Sequence, residues 1–250
     1  MSENAVPRCH GFDCTSTSLI RAHIIPKGIA RLLNQNGRNI SISPTSVGTA
    51  KRQLGEFDDK ILCEQCDNKL GAFDDYGVEI CKTFPDRHRR VPGDIFEVDN
   101  FDGNKFCKFV LAVLWRASIS NKPAFDRVEL GPYEPLAREV LYGARSLSDM
   151  PAFEVFAFRY TSTNPDPTHF YIHPSAVPMF GRRAYVLPLV GFRLLARLSN
   201  KKWPVEARQL ALNGKNVMRG GFIELEKTLE FKSLASRAHR PRTREHKTKL

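Results

Sequence analysis

Two close pairs of cysteines, Cys9 with Cys14 and Cys63 with Cys66, constrain this chain more than any other feature, because four thiolates on one metal ion would join distant segments. The first pair lies in Cys9-His10-Gly11-Phe12-Asp13-Cys14 and the second in Cys63-Glu64-Gln65-Cys66. Both spacings let a single turn present two sulfurs to a zinc ion, and four thiols form the closed ligand set of a structural site. His10 offers a substitute for one ligand, and four unrelated core cysteines are the bland alternative. Cys81 and Cys107 stand in apolar or helix-like surroundings and read as small buried hydrophobes.

With 6 cysteines in 250 residues the chain is no disulfide scaffold, so the paired thiols point to metal in a reducing compartment. A hydrophobic content of 42% suffices for a substantial core. No stretch reaches the roughly 20 consecutive apolar residues of a membrane span, and Met1–Asp13 lacks a basic-then-apolar leader pattern. A cytoplasmic globular protein with no membrane contact is expected.

The formal charge of +11 is unevenly placed. Residues 1–81 hold 9 Lys/Arg against 10 Asp/Glu, and the rest hold 29 against 17. Residues 233–250 hold 6 Lys/Arg against 1 Asp/Glu and read as a basic disordered tail. Such a balance suits a polyanionic partner, since basic groups displace counterions from phosphates. A solvated charged surface is the default reading of any one cluster.

Along the chain, Leu19–Ile25 reads as a short strand stopped by Pro26, with His23 near its end, and Lys27–Leu33 as a short helix. Asn34–Val47 is a polar loop. Lys60–Cys63 is the expected second strand, and a helix is expected from about Asp67 to Cys81, weakened by Gly71 and Gly77. Phe106, Phe109, Val110, Val113, Leu114 and Ala117 recur at helical spacing, which predicts an amphipathic helix over 104–119 with Trp115 in packing and Arg116 on the surface. A second helix is expected over 134–142, closed by Gly143. Beyond Pro151 the period changes to two: strands are expected over 153–160 and 169–173, and a pair within 184–198 turning at Pro188 or Gly191. His169 and His173 share a strand face, but no third ligand is near, so a packing role outweighs metal binding.

The ordered pieces CHGFDC, IRAHIIPKG and FDDKILCEQCDNKLG together resemble the His-Asn-His (HNH) endonuclease family over about the first eighty residues. The resemblance implies a ββα-metal finger braced by zinc on Cys9, Cys14, Cys63 and Cys66. It implies His23 as the general base that activates water against a phosphodiester. Asp58 stands where the family usually carries an orienting Asn, and Asp67 where it commonly carries a metal-binding His. An oxygen ligand at Asp67 suits a hard cation, Mg²⁺ or Mn²⁺. The position just before the base, often a further metal ligand, is Ala22, which cannot coordinate. Asp74 lies two helical turns from Asp67, too far to share one ion.

The overall expectation is an α+β protein: an HNH-like zinc-braced ββα-metal domain over 1–90, an α+β portion with antiparallel strands over 91–232, and the tail. Two functions fit. One is a divalent-metal-dependent endonuclease acting on DNA, in phage biology or antiphage defence by resemblance, with His23, Asp58 and Asp67 as catalytic residues. The other is a degenerate finger that binds nucleic acid or a protein partner without catalysis. Lys27 and the loop arginines Arg87, Arg89 and Arg90 are candidate phosphate contacts. No base-reading helix is recognisable, which argues for low sequence specificity or for specificity supplied by a protein partner.

Overall fold

The computed structural model describes residues 6–34, 40–42, 49–51, 55–84, 91–162, 168 and 170–232. The chain begins with the first cysteine turn and a very short strand, β1 (Ala22–His23), then helix α1 (Lys27–Asn34), starting directly behind Pro26. Strand β2 (Ile40–Ile42), inside the segment read as a loop, pairs antiparallel with β3 (Thr49–Lys51), which begins just past it. Strand β4 (Phe57–Asp58) returns to β1, with Ala22 opposite Asp58 and His23 opposite Phe57.

The second strand of this ribbon is therefore Phe57–Asp58, not the expected Lys60–Cys63. Ile61 and Leu62 are instead bonded through their carbonyls to the N–H groups of His10 and Ile20. They stitch the two cysteine turns together and are left with no ladder of their own.

Helix α2 (Glu64–Thr83) starts three residues earlier than expected, with Cys63 at its cap, and runs unbroken through both glycines. Gly77 is there for close packing: a Cβ at this position would lie 2.3 Å from the Phe109 ring. Gly71 meets nothing within 4 Å. Strand β5 (Ile95–Val98) precedes helix α3 (Gly103–Ile119), whose cap residue Asp102 accepts the Lys105 N–H at 2.9 Å. Buried residues cover nearly all of its circumference rather than one stripe, because α2, helix α4 (Glu134–Leu141) and the sheet enclose it.

Six more strands complete the fold: β6 (Phe153–Thr161), β7 (Tyr171–Ile172), β8 (Ser175–Met179), β9 (Arg182–Leu189), β10 (Phe192–Leu198) and β11 (Met218–Glu224). A single turn, α5 (Val205–Arg208), precedes β11. The β9–β10 hairpin turns at Val190-Gly191, both at positive φ, so Gly191 rather than Pro188 makes the reversal. Among the described residues the sheet has nine strands in the order β3-β2-β7-β9-β10-β6-β11-β5, with β8 paired to β9. Most neighbours are antiparallel, while β2–β7 and β6–β11 are parallel.

The architecture is α+β. Its main core lies between the helices and one face of the sheet and runs without interruption from Cys9 to Phe222, across the expected boundary at residue 90. A smaller cluster of Phe156, Ala184, Val186, Leu195 and Trp203 covers part of the other face, which explains why β6 is apolar in both directions.

Candidate metal centre and the ribbon beside it

The first cysteine turn is closed by Cys14 N–H donating to the Gly11 carbonyl at 3.3 Å, and Asp13 takes the left-handed conformation at φ 52°. The second is the entry to α2: Cys63 caps the helix and Cys66 lies in its first turn. The turns converge so that sulfurs of Cys9, Cys14, Cys63 and Cys66 all lie within 4.8 Å of one another. Cys14 and Cys63 Sγ atoms are 3.8 Å apart. A tetrahedron with metal–sulfur bonds of about 2.3 Å has sulfur–sulfur edges of about 3.8 Å. All six cysteines are free thiols.

The surroundings suit a thiolate cluster. Backbone N–H groups of Gly11 and Cys63 both point at Cys9 Sγ from 3.3 Å, one from each turn. Such donors favour sulfur carrying negative charge. A side chain on Gly11 would place its Cβ 2.3 Å from Cys66 Sγ, so the loop can pass this close only as glycine. Burial pushes the Cys9 and Cys66 thiols up. Burial also acts on Cys63, but the Cys66 N–H and the neighbouring sulfurs of Cys9, Cys66 and Cys14 outweigh it and lower that thiol to about 7. These four residues can hold a metal such as zinc. His10 is exposed and outside the group.

The ribbon β1–β4 lies directly upstream of the second turn. Because strand neighbours alternate sides, His23 shares a face with Phe57 while Asp58 shares the other with Ala22. The His23 ring meets Phe57 edge-on at 6.4 Å, and Arg21 covers Phe57 at 3.7 Å. Asp58 is buried: Oδ2 accepts from Ser120 Oγ at 2.6 Å and Oδ1 from the Lys60 N–H at 2.9 Å. Asp58 thus ties the ribbon to the end of α3, on the side away from His23.

Asp67 sits in the first turn of α2, where carboxylates are favoured by the helix dipole. Its Oδ1 is buried and has no hydrogen-bond partner among the described residues. Burial raises its pKa, Asp74 adds to that, and Arg116 works against both. Arg116, expected on the surface, is 1% exposed and binds Asp74 with two hydrogen bonds of 2.7 Å. An isolated buried guanidinium is untenable, so the acid two turns along α2 is its counter-charge. Tyr142, at the end of α4, donates to the Cys66 carbonyl at 3.2 Å.

Of the expected site residues, the structure brings the four cysteines together. They are the one group of three or more His, Cys, Asp or Glu donors within such reach among the described residues. His23, Asp58 and Asp67 form no such group. Lys27 is exposed at the start of α1, whereas Arg87, Arg89, Arg90 and His169 lie outside the described residues. His173 is buried, with Nε2 3.3 Å from Glu56 Oε1. Sequence reasoning missed Arg116, Ser120 and Glu56. The available signal was Arg116 itself, a lone charge inside the apolar run Phe109–Ala117. No helix of the described residues is long and apolar enough to cross a membrane. No family model, curated protein or solved structure matches this chain.

Proposed function

We propose that this protein is a zinc-braced finger of the HNH type acting on nucleic acid, as a divalent-metal-dependent endonuclease. The ribbon β1–β4 followed by α2, with the four cysteines joining its parts, is what a ββα-metal finger would require. Zinc is the ion that four thiols at this spacing suit best, in a bracing role.

The observation that carries the catalytic reading is Asp67. It follows Cys66 directly and keeps one buried carboxylate oxygen without a hydrogen-bond partner among the described residues. A hard cation there would polarise a phosphate and its leaving oxygen. One protein carboxylate is enough when water and substrate phosphate complete the shell, as is usual for Mg²⁺. His23, on the solvent-reaching face of the ribbon, would take a proton from the attacking water through its imidazole. The basic charge outside the finger would hold the polyanion.

A second reading is a finger that binds nucleic acid without cutting it. It is favoured by Asp58, engaged by Ser120 on the face away from His23, and by the cation Arg116 beside Asp67. The deciding experiment is nicking of plasmid DNA with added Mg²⁺ or Mn²⁺ by the wild type, His23→Ala and Asp67→Asn. Cleavage by the wild type alone supports the nuclease. Cleavage that survives His23→Ala removes His23 as the base, and DNA retention with no cleavage under any divalent ion leaves the binding module.

A further inference from the structure

Strands β8 and β9 are joined by Phe180-Gly181, at φ 49° and 66°. Two-residue turns of this kind prefer Asn-Gly, because a bulky side chain strains the left-handed backbone. Phe180 goes against that preference and is also 54% exposed. Asparagine would be easier for the backbone and would remove apolar surface from water. Folding therefore gives little reason for a phenylalanine here.

The ring is not loose. It meets Trp203 edge-on at 5.3 Å, and Trp203 in turn stacks on Phe156 at 4.6 Å with 21° between the planes. Phe180 is thus the outermost member of an aromatic ladder rising from the smaller core.

Cations gather around it. Arg182 alternates with Ala184 and Val186 and so shares the face that Trp203 covers. Arg197 pairs with Ala184, so the chain leaving β10 reaches the end of the sheet where Arg182 begins, and there it carries Lys201 and Lys202. All three are exposed. The nearby Glu154 is held by Arg197 at 2.7 Å and Arg208 at 3.2 Å, while Glu206 is exposed on α5.

A rigid exposed ring flanked by cations is the chemistry that grips an unpaired base and its neighbouring phosphates. We infer that the Phe180 turn, with Arg182, Lys201 and Lys202, is a contact surface for single-stranded nucleic acid, one base stacking on Phe180. The inference rests on the reading that this chain acts on nucleic acid, but it needs no hydrolysis.

The test uses full-length His23→Ala protein without added divalent cation and a fluorescein-labelled oligothymidylate, followed by anisotropy. In that background Phe180→Asn is expected to weaken binding about tenfold, as loss of one stacked base does, with melting temperature unchanged or higher. Phe180→Tyr should bind like the parent and Phe180→Leu like the asparagine variant. The single strand should bind more tightly than a duplex of the same length. Equal binding by Phe180→Asn or Phe180→Leu and the parent overturns the proposal. So does a parent that prefers duplex, or one that is dimeric and becomes monomeric with Phe180→Asn, since the occupant is then a second copy. Failure of plasmid cleavage leaves this comparison untouched, so the two readings fail separately.

Discussion

Arg116 and Asp74 form a bidentate ion pair between α3 and α2, with both nitrogen–oxygen distances 2.7 Å and the guanidinium shut off from water. Removing one partner leaves a buried charge. Asp74→Ala is expected to lower unfolding free energy by about 3–5 kcal/mol, measured by denaturant titration. The double replacement Asp74→Leu with Arg116→Met should recover most of that loss. If Asp74→Ala unfolds like the wild type, the pair carries no such weight.

The two glycines of α2 give opposite expectations for one substitution. Gly77→Ala drives a methyl into Phe109 and should cost about 1–3 kcal/mol. Gly71→Ala meets open space and should add about 0.5–1 kcal/mol by restricting the unfolded chain. Paired thermal melts of the two variants check the sign of each.

Zinc should be present at one equivalent per chain, by elemental analysis of purified protein. Cys63→Ser is expected to lose the metal and with it on the order of several kcal/mol of stability, because ligand binding and folding are coupled. Purified protein with well under one equivalent would count heavily against the four-cysteine site.

Asp58→Asn separates a bracing role from an orienting one. Loss of charge at the Ser120 and Lys60 contacts should lower stability by about 1–3 kcal/mol. The shape of any cleavage-versus-pH profile should not change, since His23 lies on the opposite face of the ribbon. A shifted profile would restore Asp58 as the orienter of His23.

Alkaline conditions should destabilise the fold early. Burial pushes the Tyr142, Tyr160 and Tyr185 hydroxyls up from the ordinary value of 10.0, and Glu230 beside Tyr160 pushes the same way. Above pH ~10 the unfolded chain loses these protons while the native one keeps them, so stability present below that pH falls as pH rises. Denaturant titrations at increasing pH check this, and Tyr160→Phe should flatten the fall.

What could be read from the residues was local. The cysteine pairs, the apolar repeat of α3 and the period-two pattern of β6 each fit within one turn, helix or strand, and the structure has all three. Arg116 was misplaced because its partner Asp74 is 42 residues away and no periodicity reports a distant counter-charge. The ribbon was misplaced by the same kind of fact. Ile61 and Leu62 have the β-branched or apolar look of a strand, but their carbonyls belong to His10 and Ile20. Strands β2 and β11 are placed by parallel partners far along the chain, β7 and β6, which no local pattern reports. Asp58 illustrates the limit at the site: its position five residues before Cys63 suggested a partner for His23, whereas strand register decides which side it faces.

The pairing of β2 with β7 bears on whether the ribbon and helix are a portable cassette. The chain leaves the ribbon after His23, contributes β2 and β3 to the far sheet, and returns for Phe57 before the second cysteine turn. Glu56 is held by His173, just past β7, and Asp74 by Arg116. A fragment ending at residue 90 would keep all four thiols and lose each of these attachments. Transplanting it onto another scaffold would therefore carry away the ligands but not the fold that holds them in place.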